Sequence, residues 1–312
     1  MFALRLVGVA LSVFILAYCL FSLTVSAGWK LTARLWRSQA PARSAGVLFA
    51  LRLFPLVAAV AITGIYVVPS YLILEPAYID EAVGPILVVV TCGALAWLLS
   101  AAFRVVAAQK RTSRVLSSWL RGANGISNGA PFPVLRLARH DPVLTVAGIC
   151  APRVLISETA ASILARAELE VALRHEVAHI RHRDNLKKLL LRVAAFPGMR
   201  RLESAWLAMS EMAADDAAVS SLSEALDLAS ALIKLSRFAP VQRPQAVTSA
   251  LVPESRASLS ARLGRLFNWA APQSRKRTSY MLPAVATIAF LAVLTYGPML
   301  SGVHVLTEWL VR

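Results

Sequence analysis

The sequence predicts a mainly α chain of the α+β class. Four membrane-spanning helices are expected, with a water-exposed domain of helices and a small antiparallel sheet between the third and the fourth. Three observations predict this. Of 312 residues, 57% are hydrophobic and 16% charged, where a soluble domain has about 45–50% and 25%. The apolar residues gather in four runs of the length that crosses a hydrocarbon core, about 20 residues in a helix. Between residues 109 and 279 those runs give way to helical periodicity and short β-prone stretches, with 25 Lys or Arg against 13 Asp or Glu.

The apolar runs are 6–27, 53–74, 83–103 and 280–303. They divide the chain into a three-span part (1–108), the polar domain (109–279), and a last span with a short external tail (280–312). The first run exceeds the 7–15 apolar residues of a cleaved signal peptide and is followed by Lys30, Arg34, Arg37 and Arg43, so it reads as a span. Basic residues in short loops stay on the cytoplasmic side. Basic clusters follow the first run (Lys30 to Arg43), follow the third (Arg104, Lys110, Arg111, Arg114) and precede the fourth (Arg275, Lys276, Arg277). The connection between the second and third runs carries only Glu75, Asp80 and Glu81. The expected topology is a multi-pass protein of a bacterial-type inner (plasma) membrane, with both termini outside and residues 109–279 in the cytoplasm. Arg52, at the cytoplasmic end of the second run, is expected to snorkel toward the interface.

Other classes are excluded. Cys19, Cys92 and Cys150 form no paired spacing, which rules out a disulfide scaffold or a cysteine-rich zinc module. A net charge of +16 invites nucleic acid, but no nucleic-acid-binding motif accompanies it. A basic domain beside anionic lipid is the simpler reading, with no direct nucleic-acid partner.

Within the polar domain, a basic juxtamembrane helix and a turn-rich loop (109–130) precede β-prone runs at 133–138, 144–148 and 153–157. Helical periodicity then covers 168–196, 202–220 and 224–237. A loop at 239–253 leads to an amphipathic helix at 256–267, with Leu259, Leu263 and Leu266 on one side and Arg262 and Arg265 beside them. That pattern does not decide between lying on the membrane and packing on the domain.

The chemistry is concentrated in Leu173–Asp184, which contains H-E-x-x-H as His175, Glu176 and His179. Composition alone makes such a match roughly a 0.003-per-chain event, and a helix gives it meaning. Positions four apart lie about 6 Å apart along the axis on nearly one face, so the two imidazoles can converge on one metal. Glu176 projects beside them, where it can take a proton from an attacking water. A catalytic zinc needs a third protein ligand. Glu211, in the run Glu211-Met-Ala-Ala-Asp215-Asp216, is the candidate. Asp215, one turn on, can accept the outer N–H of a ligand imidazole, and Asp216 decorates the surface. His140 is a weaker candidate for an oxyanion or substrate contact, and His182 faces away from the pair.

At these residues the sequence resembles the membrane-embedded zinc metallopeptidases of the BlaR/MecR antirepressor type. The resemblance covers the four-span layout, the segment Gly148–Ser157, His175–Asp184, Glu211–Asp215 and, more weakly, Ser258–Leu266. It implies a gluzincin domain with one zinc per chain on His175, His179 and Glu211, and Glu176 as base. It also implies a cytosolic proteolytic event, in the best-known members the destruction of a winged-helix repressor. Three features depart from the family. Only nine residues follow Val303, where the known sensors carry a penicillin-binding domain. Ala214 stands where a Cys is frequent, and Phe196-Pro197-Gly198 replaces an Asn-Pro turn.

The expected function is therefore an integral-membrane zinc endopeptidase that cuts a cytoplasmic protein, a repressor or its own chain, in transmembrane signalling. Its partners are that substrate and the bilayer, and a homodimer stays open. Two alternatives remain: a quality-control protease of the HtpX type, which usually has a longer insertion between the two site helices, and a signalling scaffold with a structural zinc, which has no use for Glu176.

Overall fold

The computed structural model describes residues 2–32, 40–75, 84–120, 124–126, 132–138, 143–238, 248–250, 256–270 and 295–311. The chain divides into two compact units. One comprises residues 1–32, 51–101 and 273–312, and the other 33–50 and 102–272.

The first unit is helical. It draws on α1 (Phe2–Thr32), α2 (Pro41–Ile62), a π-helical segment (Thr63–Val67), α3 (Val68–Leu74), α4 (Pro85–Leu120) and, after the polar domain, the final helix Tyr296–Val311. Among the described residues, three stretches are long and apolar enough to cross a membrane: Phe2–Thr32, Pro41–Leu74 and Pro85–Trp119. Large apolar side chains such as Leu4, Val89, Leu99 and Phe103 point outward, as lipid-facing helices require. Inside, α1 and α4 approach closely at Gly8, where Thr91 Oγ1 donates to the Gly8 carbonyl at 3.2 Å. A Cβ on Gly8 would lie 3.4 Å from that hydroxyl. Arg52 does not snorkel; it is fully buried, in interaction with Tyr18. Most of the expected fourth span (280–294) lies outside the described residues. The helix that includes its end continues past residue 303 to Val311.

The third apolar run and the basic juxtamembrane segment form one helix, α4, because nothing between them breaks it. The turn-rich stretch after it contains a short strand. The polar unit carries β1 (Asn124–Ile126), β2 (Val134–Leu137), β3 (Leu144–Ala147), β4 (Arg153–Ser157) and β5 (Thr248–Ala250), in the order β1-β2-β4-β3-β5. The sheet is mixed, which corrects the antiparallel expectation. β3 and β4 pair antiparallel, but β4 inserts between β2 and β3 and runs parallel to β2. The physical reason is burial. Val154, Leu155 and Ile156 are all buried, so β4 takes the central place with both faces covered.

The helices of this unit are α5 (Glu158–Ile163), α6 (Arg166–His182), α7 (Asp184–Val193), α8 (Arg200–Ala218), α9 (Leu222–Phe238) and α10 (Arg256–Phe267); the final helix is α11. On one sheet face Val134, Val146, Val154 and Ile156 pack with Ala172 of α6, Leu228 and Leu232 of α9, and Leu266 of α10. On the other, Leu137 and Leu155 meet Leu116 and Trp119 from the end of α4. The undecided helix, α10, therefore packs on the domain.

Candidate metal centre

α6 begins at Arg166, and in its first turn the Glu168 carboxylate accepts the Ala165 N–H at 2.8 Å, which caps the helix. Val171 and Ala172 are buried at the core. The helical repeat then directs His175 and His179 inward one and two turns later, and neither is exposed by more than 2%. Their rings stand nearly perpendicular, 82° between planes, and the two Nε2 atoms are 3.1 Å apart. α8 lies alongside, anchored by Leu202 and Trp206, both 1% exposed. It brings Glu211 to the histidine pair: Oε2 lies 3.6 Å from His175 Nε2, and Oε1 lies 3.6 Å from His179 Nε2. One ligand atom from each of the three residues falls within 4.8 Å of the others.

The outer nitrogens face carboxylates. His175 Nδ1 is 3.0 Å from Asp215 Oδ1, and His179 Nδ1 is 2.7 Å from Asp184 Oδ2. The hydrogen bond to Asp184 holds His179 Nδ1 protonated and leaves its Nε2 lone pair for a metal, and the Asp215 charge beside His175 Nδ1 favours the same tautomer there. Asp184 is a participant that the sequence reading did not assign a role. Its placement follows from a break expected nowhere in the 168–196 pattern. Arg183 adopts a left-handed conformation, with φ of 54°, which ends α6 and starts α7 at Asp184. Asn185 pins the junction by donating to the Gly148 carbonyl at 3.0 Å. The spacing of an Asp five residues after the second His was the one local signal.

Glu176 is fully buried, and neither of its carboxylate oxygens has a hydrogen-bond partner among the described residues. An orphaned carboxylate is costly, and burial pushes its pKa up to about 8. Burial disfavours a charged His175, but the Asp215 and Glu211 carboxylates outweigh it and raise that imidazole to about 9. Burial keeps His179 below its ordinary value. Glu211, although burial opposes it, is held far below the usual carboxylate range by the two histidines and Arg262. Two Nε2 atoms 3.1 Å apart need a proton or a cation between their lone pairs. The donor set of two imidazoles and a carboxylate, with a partnerless carboxylate beside it, fits zinc.

Arg262 is the second unforeseen member. It donates to Asp215 through Nε at 2.7 Å and Nη2 at 2.6 Å, and to Glu211 Oε2 through Nη1 at 3.1 Å. Asp216 instead points outward and pairs with Arg265 at 2.7 Å. His140 lies outside the described residues. Ala214 is fully buried on α8. Beside His179 opens a cleft of about 620 Å³, lined among others by Phe132, Val146, Ile149, Pro152 and Leu186. A comparison with protein-family models gives no match to this chain, and neither does one with curated proteins.

Proposed function

We propose that the protein is a membrane-integral zinc endopeptidase of the BlaR/MecR type, acting on a cytoplasmic protein. The observation that carries this reading is one constellation: His175, His179 and Glu211 with ligand atoms within 4.8 Å, and Glu176 buried without a partner beside them. When bound, zinc supplies a Lewis acid for the scissile carbonyl. Glu176 takes a proton from the attacking water and returns it to the leaving amine. Asp215 and Asp184 hold the two imidazoles in the tautomer that presents Nε2. The cleft beside His179 offers room for an extended stretch of substrate.

A scaffold with a structural zinc is disfavoured by Glu176. A buried carboxylate without a partner is destabilising and serves no purpose unless a reacting group meets it. In orientation the basic loops support a cytoplasmic catalytic unit. The substrate in this reading is a repressor or the chain itself.

The test is a comparison of cellular protein N-termini between cells expressing wild type and cells expressing Glu176→Gln. New cytoplasmic termini that depend on Glu176, together with about one zinc per purified chain, are expected. Identical termini in the two strains would overturn the proposal.

A further inference from the structure

We infer that Arg262 is a positioning residue of the metal centre, fixing Glu211 and Asp215 so that the centre is complete only with α10 docked. This rests on the zinc reading of the same site. Glu211 and Asp215 are one turn apart on α8, and Glu176 is buried nearby, so three carboxylates share a site in which the most exposed of them, Glu211, is only 15% exposed. The Arg262 side chain is fully buried. Its planar fork takes both oxygens of Asp215, and its third nitrogen takes Glu211 Oε2. A bidentate guanidinium fixes the plane of a carboxylate as a point charge cannot. With its plane set, Asp215 keeps Oδ1 at His175 Nδ1, 3.0 Å away. With Oε2 engaged, Glu211 keeps Oε1 toward His179 Nε2.

The arginine reaches this point because its own helix is anchored. Leu266 is 3% exposed in the core, and Leu259 and Leu263 pack against it. Arg265, on the same helix, meets Asp216 on the surface, where both side chains are more than a third exposed. The two arginines therefore form a natural pair of test and control, with equal charge and similar place in the sequence but different burial.

The experiment uses the full chain in detergent, with zinc affinity read by competition against a chromophoric chelator and Co(II) absorption as a spectroscopic readout. Wild type binding one zinc tests the underlying reading separately. Arg262→Met is expected to bind zinc about 10–100-fold more weakly, as loss of a partner behind a ligand does, with an altered Co(II) spectrum. Arg262→Lys, which keeps the charge and loses the fork, is expected to show a smaller weakening and an altered spectrum. Arg265→Met should match wild type in both. Should Arg262→Met lose its helical circular dichroism, Arg262→Lys decides. Zinc affinity and Co(II) spectrum equal to wild type in the folded Arg262 variant would overturn the inference. Equal losses in the Arg262 and Arg265 variants would overturn it as well.

Discussion

Replacing Asp184 tests whether the outer nitrogen of His179 is held as the geometry shows. The carboxylate is 1% exposed and accepts from His179 Nδ1 at 2.7 Å, a length in the charge-assisted range. Burial opposes its ionisation, but His179 and Lys187 hold its pKa below the usual value. Asp184→Asn keeps size and an accepting oxygen but removes the charge. A charge-assisted hydrogen bond contributes about 1.5–3 kcal/mol and a neutral one about 0.5–1.5. The difference, about 1–1.5 kcal/mol, corresponds to zinc binding roughly 5–12-fold weaker. Asp184→Ala removes the acceptor altogether, leaves Nδ1 free to give up its proton, and is expected to cost about 10–100-fold. Lys187 also donates to the carboxylate, to Oδ1 at 3.2 Å with its own side chain 27% exposed, and this contact is weakened in Asn and lost in Ala, in the same order. The assay is zinc titration of metal-free protein against a chelator of known affinity. The expected order is wild type, then Asn, then Ala. Unchanged affinity in Asp184→Ala, or a weaker Asn than Ala, would refute the reasoning.

Glu176→Gln should bind one zinc and lose about 10²–10⁴ in peptide hydrolysis; metal analysis paired with a cleavage assay checks both, and cleavage within a few-fold of wild type would remove Glu176 as base. Asp215→Asn should weaken zinc binding, while Asp216→Asn, whose partner Arg265 is 39% exposed, should change it by no more than about 0–1 kcal/mol; equal losses would mean that both aspartates serve the centre. Glu168→Gln should lower the melting temperature of the full chain at pH 7, by about 1–2 kcal/mol in stability. Although burial opposes it, Lys234, Ser230 and the Ala165 N–H hold the Glu168 pKa below its ordinary value. The stabilisation is therefore present above about pH 4.3 and lost as pH falls through the folded value; a pH-independent difference between the two proteins would contradict it. In a variant without the three native cysteines, a cysteine at Ser127 should resist an impermeant thiol reagent in intact cells and one at Ala77 should react, and the reverse pattern would invert the topology.

Much of the site was legible because its logic is local. His175, Glu176 and His179 share one helix, so their relation follows from 3.6 residues per turn. Glu211 and Asp215 share another, and the need for a third ligand named the first of them. The three described apolar spans were likewise legible from run length alone. What the residues by themselves left undetermined is whatever depends on contacts between distant segments. Spacing placed Glu211 on a helix, but only the packing of α8 on α6 puts its oxygens 3.6 Å from the imidazoles. Asp184 reaches His179 because Arg183 takes a left-handed conformation, a break that apolar periodicity continues straight through. The sheet reads as antiparallel from its closely spaced strands, yet β4 enters between β2 and β3, a placement that covers Val154, Leu155 and Ile156 on both faces. Arg262 looked like one of two arginines on an amphipathic helix, and nothing within that helix distinguishes it from Arg265. Burial does: the core that seats Leu266 carries Arg262 inward to two carboxylates on α8, 47 and 51 positions earlier in the chain, and leaves Arg265 at the surface.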